Sequence, residues 1–449
     1  DFKKVENASA IINADPSVRG QSGPLQLETN SYVTPLMGAI LTAAEELGFD
    51  FPADMNAVED KSGISLTELP RRNGLRLDAF TAYILSAPKD ILDNITVSTG
   101  VTVSRVDILI DEFGNRKARG VFGIEGGPLS EESYFCANQG VILAAGALNS
   151  PVILERSGVG DPEVLNDLGI DVVLENAQVG QNLQDHVQTP ILVHFKYDRM
   201  DYPYSNRVTK AQEYFRFLRH RDGLFADSPQ SFHFFSKENN STVPNFQVLF
   251  QEVATGFIDR LRDTIVLAVS CQCVDVQSRG EVHYSGNPMF PLGNPLLGIP
   301  STVNPNYAST EQELSCLAKG QRRLRELIIK SGLAVGEIVP GEGFVSYDDG
   351  AFEFNVERLR SLLPNYATLS GYHFSGGSSL GMVVDGETME VFGYDQVMNG
   401  TVVRRIVEGL YMVDGSVNPQ IPRVNTMALA YASAEYASSL ILEKINQIK

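Results

Sequence analysis

Apolar and polar positions change rhythm several times along the 449 residues. Residues 35–47 (PLMGAILTAAEEL) carry helical spacing, with Gly48 as the stop. Residues 76–86 (RLDAFTAYILS) predict a second helix, closed by Pro88. A strand pair follows at 95–103 and 106–110, then the turn DEFGNRK and a further strand at 120–124. Residues 134–145 contain GVILAAG, a strand apolar on both faces, as in a parallel sheet covered on each side. It runs straight into GALNSPVILERSGVG (Gly146–Gly160): a buried strand, a small-residue turn, then a helix, the arrangement of a phosphate-facing βα junction. A short helix and strand after Pro162 lead to VGQNLQDH, residues 179–186. From 187 to 290 the pattern alternates with period two, notably at 246–253 and 265–274, which predicts an antiparallel sheet in a second domain. A Pro/Gly loop covers 286–303, and 309–331 is a helix started by Ser309 or Thr310, with Glu313 at the capping-box spacing. The chain returns through 369–381 and ends in a helix over 426–448, whose Met427, Tyr431, Ala434, Ala437, Ile441 and Ile445 form one apolar stripe.

The length exceeds one ordinary core, so two domains are expected. A net charge of −19 and a pI near 4.8 argue against nucleic acid and against anionic membrane surfaces, both of which require clustered Lys and Arg. No apolar run reaches the roughly 18 residues of a membrane helix. Cys136, Cys271, Cys273 and Cys316 have no metal-binding spacing and read as buried thiols, with one disulfide through Cys316 left open. Sequons begin at Asn7, Asn94, Asn239, Asn240 and Asn399, which points toward a secreted glycoprotein.

The candidate chemistry lies in GYHFSGGSSLG, residues 371–381, and DGSVNPQIPRVNTMALAYA, residues 414–432. His373 sits among glycines and small residues that leave backbone room beside a ligand. Read by itself it is a general-base candidate or an inert turn histidine. Asn425 stands where a helix N-cap belongs, and the partial positive charge of that helix end also suits an electron-rich ligand. The other histidines have no comparable setting, and His186 reads as structural.

Several of these stretches resemble the glucose-methanol-choline (GMC) oxidoreductases. GALNSPVILERSGVG is similar to that family's second signature, VGQNLQDH follows at the usual distance, and YMVDGSVNPQIPRVNTMALAYASAEYA resembles its flavin-contacting C-terminus. QSRGEVHYSG and PNYASTEQELSCLAKGQRRLREL resemble the substrate-domain segments. The resemblance implies an α/β (α+β) fold: a Rossmann-like FAD-binding domain plus a substrate domain with an antiparallel sheet flanked by helices. The expected division is a flavin-covering segment and start of the FAD domain (1–80), a further FAD-domain part (81–186), the substrate domain (187–368) and the C-terminal FAD-domain part with the catalytic residues (369–449). By the same resemblance His373 is the catalytic histidine and Asn425 its partner. Val103, Ala145, Gly146, Asp414, Gly415, Asn425 and Thr426 then contact FAD, and no metal is expected.

The implied reaction is alcohol oxidation by hydride transfer to FAD, with His373 as base. Two alternatives stand beside it: a hydroxynitrile-lyase-like member of the family, and a remnant without catalysis. Family members begin with a strand and GxGxxG, and this chain contains no GxGxxG. It opens at Asp1 without Met, so the expectation is a processed product. A separate N-terminal chain of about 100 residues carrying GxGxxG would stay bound as a heterodimer. The other expected partner is a small-molecule alcohol.

Overall fold

The computed structural model describes residues 2–448 except 12, 58–61, 127–129, 196–206, 229, 238–240, 254–264, 287–300, 340–344, 347–355, 363–368 and 398–400. Among the elements that frame the site are helix α1 (Pro35–Glu46) and strand β1 (Gly63–Leu66). Strands β2 (Val101–Ile110), β3 (Arg116–Glu125), β4 (Glu132–Cys136) and β5 (Val141–Leu143) then lead into helix α2 (Asn149–Arg156). Strands β6 (Val187–Phe195), β7 (Phe232–Ser236), β8 (Phe246–Val253) and β9 (Ile265–Cys273) fill the middle of the chain. Helix α3 (Glu311–Lys330), strands β10 (Glu390–Val397) and β11 (Thr401–Met412) and helix α4 (Met427–Ile448) complete it.

The first large sheet joins two distant parts of the chain. β2 and β3 form a hairpin over the turn at 111–115, where the Asp111 carboxylate accepts from the backbone N–H groups of Phe113 and Asn115. β11 runs parallel to β3 and to β5 and antiparallel to β10; Leu174–Glu175 and Val159–Gly160 extend the sheet, and β4 pairs with β3. Val141, Leu143, Val152, Leu154, Leu410 and Met412 share its core. The parallel strands β5 and β11 end side by side, one feeding Gly146 and the other Asp414. Carboxyl ends of parallel strands are where α/β sheets take ligands.

The second sheet is antiparallel in the order Val345–Ser346, Ala334–Val339, β6, β9, β8, β7, β1. Its alternation sorts the side chains by face. Val187, Ile191, Phe195, Phe246, Val248, Phe250, Val269 and Cys271 are buried in a core shared with α1 and α3. Gln188, Gln272, Gln247 and His233 come from the opposite face, as their in-register pairing requires. The Rossmann-like FAD domain and the antiparallel substrate sheet are therefore both present. Residues 1–80 also contribute directly to the second sheet, through β1 on β7 and through α1 in its core.

Several elements differ from their sequence reading. Residues 76–86 form a short strand and a single π-helical segment, Phe80–Leu85, because Pro70 and Arg71 draw Arg76 and Leu77 into a hairpin. The strand expected from 95 begins at Val101 and continues through the supposed break at 104–105 as a bulge. The stretch 134–145 is two strands, β4 antiparallel to β3 and β5 parallel to β11. β5 is also not covered on both faces: Val141 and Leu143 are buried, but Ile142 is 55% exposed, and no described strand pairs with its other edge. Of the expected loop 286–303, residues 287–300 lie outside the described part, and Ser301–Asn304 is a strand. All four cysteines are free thiols, with Cys136 exposed and the other three buried. No described helix is long and apolar enough to cross a membrane.

The seat of α3 on the second sheet depends on one missing side chain. A Cβ at Gly320 would lie 2.0 Å from Cys271 Sγ. Replacing Gly320 by Ala should destabilise the protein by about 1–3 kcal/mol, through overpacking. The midpoint of urea unfolding measures this; an unchanged midpoint would show that α3 can stand off from the sheet.

Candidate active site

At the ends of β5 and β11 a single carboxylate holds two turns together. Asp414 Oδ2 accepts from Gly146 N at 2.9 Å and from Ser150 Oγ at 2.5 Å, while its Oδ1 accepts from Ser416 N at 2.7 Å. Ser150 Oγ in turn accepts from Ala145 N at 2.9 Å. Gly146 has φ +88°, and a Cβ built there meets nothing within 4 Å, so its backbone borders open space. Ser416 Oγ is buried at the same turn without a hydrogen-bond partner. Gly376 N donates to Gly415 O at 3.0 Å, which ties this turn to the loop carrying His373.

That loop is pinned from below by the NLQDH segment. Gln184 and Ser375 exchange backbone hydrogen bonds, and Gly371 N donates to His186 O at 2.7 Å. The buried Asp185 carboxylate accepts from His373 N at 2.8 Å, from Ser370 Oγ at 2.5 Å and from Tyr307 Oη at 2.5 Å. Between them Tyr372 takes φ +58°, unusual for a residue with a large side chain. The result is a sharp turn that places the His373 ring between His186 and Asn425.

His373 Nδ1 lies 2.9 Å from His186 Nδ1, with the rings at 83° to one another. His373 Nε2 lies 3.1 Å from Asn425 Nδ2, and Asn425 Oδ1 accepts from Gln247 Nε2 at 3.3 Å. Burial lowers the affinity of His373 for a proton, and the Asp185 charge works against that shift. Burial also pushes His186 down to about 3, with His373 adding to the effect. Two neutral rings sharing one proton between their Nδ1 atoms satisfy both shifts. The Pro422 carbonyl faces His186 and favours a proton on its Nε2, although no well-formed hydrogen bond is made there. His186 Nδ1 is then the acceptor, His373 donates from Nδ1, and His373 Nε2 is left as a lone pair facing Asn425.

These groups open on a cavity of about 740 Å³, bordered among others by His373, Asn425, Thr426, Met427, His233, Phe235 and Thr67. The first turn of α4 carries no acidic residue, so its partial positive charge meets the cavity uncompensated. Among the expected site residues, His373, Asn425 and Thr426 meet here, and Ala145, Gly146, Asp414 and Gly415 meet at the strand ends. Val103 lies on β2, two strands from β11, paired with Gly123. Asn425 does not act as a helix cap. Both ends of its amide are used by His373 and Gln247, and Ala430 N closes the first helical turn on Thr426 O.

His186, read from the sequence as structural, is in direct contact with His373, and Asp185 beside it fixes the His373 backbone. Adjacency of Asp185 and His186 in NLQDH was the available signal. Gln247 and His233 carried none, since strand register alone brings them to Asn425.

Family models for GMC oxidoreductases match residues 2–188, its N-terminal domain, and 276–434, its C-terminal domain. The chain belongs to the GMC oxidoreductase family. It is 27% identical to an oxygen-dependent choline dehydrogenase of Staphylococcus xylosus, over 99% of this chain and 73% of that protein. It is 26% identical to a pyranose dehydrogenase of Agaricus campestris, over 99% of this chain and 74% of the relative. A formate oxidase structure from Aspergillus oryzae superposes with a TM-score of 0.80 at 19% identity, covering 100% of this chain and 78% of that one. This GMC protein is an FAD-dependent oxidoreductase acting on CH–OH donors. The residues present fit FAD: the Gly146 backbone borders open space, a buried Ser416 hydroxyl is unpaired beside it, and the N-terminus of α4 faces the cavity.

The buried His186 has a consequence for stability. An unfolded imidazole titrates near ~6.5, whereas the folded one titrates near 3. The folded state thus excludes a proton that the unfolded state accepts. Its contribution is complete above pH ~6.5 and is lost as pH falls toward 3, at no more than about 1.4 kcal/mol per pH unit. His186→Gln should therefore flatten the acid side of the Tm–pH curve between pH 6.5 and 4. Parallel curves for variant and wild type would show that His186 is protonated in the fold.

Proposed function

We propose that this chain oxidises a small-molecule alcohol with FAD, His373 accepting the hydroxyl proton while Asn425 holds the alcohol oxygen. The supporting observation is the pairing of Asn425 Nδ2 with His373 Nε2 at 3.1 Å on the wall of the cavity. An alcohol fits that pair by accepting from Asn425 Nδ2 and donating to the His373 Nε2 lone pair. A proton arriving on Nε2 leaves Nδ1–H directed at His186, which stays neutral because burial disfavours its charge. The Asp185 carboxylate nearby favours the imidazolium as it forms. When bound, oxidised FAD supplies the two-electron acceptor for the hydride. Gly146, Gly415, the Asp414-held turn and Thr426 would hold it, with Val103 toward its adenine end.

His373→Ala should lower turnover by at least ~10²-fold while FAD content stays the same. A panel of alcohols, with peroxide and dye reduction as readouts, identifies the substrate and the acceptor. Bleaching of the flavin band by an alcohol without oxygen separates oxidation from lyase chemistry. A His373→Ala protein that oxidises its alcohol at the wild-type rate would sink the assignment.

We also propose that a separate polypeptide carrying GxGxxG binds at the open edge of β5 and adds to the grip on FAD. β5 supports this with an unpaired parallel edge among the described residues and an exposed Ile142 side chain, and Tyr436 and Leu442 on α4 are exposed as well. A bare parallel edge is normally covered. Denaturing mass spectrometry of the natively purified protein should show a second polypeptide with that motif. A single FAD-holding species with the mass of this chain alone would exclude it.

A further inference from the structure

A row of amides crosses the second sheet and ends at His373. Gln188 on β6 and Gln272 on β9 are register partners, as are Gln272 and Gln247 on β8. Opposed residues on one face of a sheet lie within reach of each other. Gln188 Nε2 donates to Gln272 Oε1 at 3.2 Å, Gln272 Nε2 donates to Gln247 Oε1, Gln247 Nε2 donates to Asn425 Oδ1 at 3.3 Å, and Asn425 Nδ2 faces His373 Nε2 at 3.1 Å. Each amide gives its N–H to the next and takes one from the last, so the chain has a single sense. Gln247 and Gln272 are fully buried, in a sheet whose other face is apolar. Three glutamines there are costly unless all are bonded, since each unpaired amide would cost roughly 1–3 kcal/mol.

We propose that Gln188, Gln272 and Gln247 form a head-to-tail amide chain that locks the orientation of Asn425, so that its N–H, and not its carbonyl, faces His373. The three are positioning residues, and the proposal rests on His373 being the base. A free Asn425 could turn its carbonyl to the ring and hold a proton on Nε2, which would disable the base. With Oδ1 engaged by Gln247, only the N–H side is presented, which suits an acceptor nitrogen. Aligned amides also polarise one another and strengthen the final donor. His233 makes a side branch: its Nδ1 lies 3.1 Å from Gln247 Nε2. Burial holds His233 neutral, down to about 4, so it adds an acceptor without a charge.

Other groups also bear on the ionisation of His373. Asp185 lies below the ring, His186 beside it, and Tyr307 and Ser370 engage Asp185. The same cavity is also lined by His233, Lys3, Glu6, Arg19 and Glu68, with Arg19 bonded to Glu6, Glu68 and Asp54. Of these, only His233 is bonded to the amide row, through Gln247. The cut therefore reads through Asn425 alone, apart from the His233 branch. Neither Gln247 nor Gln272 borders the cavity, so substrate contacts are preserved.

The test uses the FAD-loaded protein and its best alcohol, with kcat and KM followed across pH. Gln247→Met should lower kcat about 10-fold with little change in KM, the pattern of a lost transition-state interaction. It should also move the acid limb of kcat to higher pH, because an unlocked Asn425 carbonyl stabilises protonated His373. Gln272→Met, one link further away and with Gln247 intact, should move the same limb in the same direction by a smaller amount. It also serves if Gln247→Met fails to load FAD. A limb unmoved in every variant that folds, beside an inactive His373→Ala, overturns the amide chain and leaves the base assignment standing. A fully active His373→Ala overturns both.

Discussion

The site depends on one buried carboxylate. Asp185 gathers a tyrosine hydroxyl from the segment before α3, a serine hydroxyl from the edge of the second sheet, and the backbone N–H of His373. Those three groups lie 122, 185 and 188 residues from it in sequence. A buried charge survives only when its lone pairs are filled, so the turn at 370–373 is tied to the same condition. The positive φ at Tyr372 is held by that bonding, and the direction of the His373 ring follows from it. Tyr307 registers the interaction too: burial and the Asp185 bond push its hydroxyl well above the usual tyrosine range, so it remains a donor.

Asp414 plays the matching part at the other end of the site. Its two oxygens bridge the ends of parallel strands and fix the Gly146 turn against the C-terminal segment. The two carboxylates act in different surroundings for a shared reason. Each converts long-range strand pairing into the placement of a local turn. Between them the backbone bonds of Gln184, Ser375 and Gly376 span the interval, so the base and the cofactor turn are set by one hydrogen-bonded frame.

The sequence is most legible where covalent geometry narrows the choice. A glycine-bounded junction such as GALNSPVILERSGVG permits few conformations, and the βα junction appears where it was read. Of the two expected starts of α3, Ser309 and Thr310, the cap is Thr310, with Glu313 N donating to its Oγ1 at 3.3 Å. The helix read over 76–86 is confined to Phe80–Leu85, because a hairpin with the preceding strand takes Leu75 and Arg76. Asn425 was open to two readings for a subtler reason. A cap and an active-site amide call for the same residue at the same place, and only its two partners distinguish them. The glutamines of β6, β8 and β9 were invisible, since a single Gln in an alternating strand marks a solvent-facing position until register places it opposite another.

The two faces of the second sheet explain why such a polar row is tolerated beside the reaction centre. On one face, phenylalanines and aliphatic residues lock the strands to α1 and α3, and Gly320 allows α3 to approach closely. That packing fixes register, because a slip of one residue would turn Phe195, Phe246 and Phe250 out of the core and Gln188, Gln247 and Gln272 into it. Register in turn sets which amides meet. A loosely packed sheet would leave the row free to break and solvate its amides separately. The apolar face thus enforces the polar one, and the orientation of Asn425 rests on hydrophobic packing on the far side of the sheet from the site it serves.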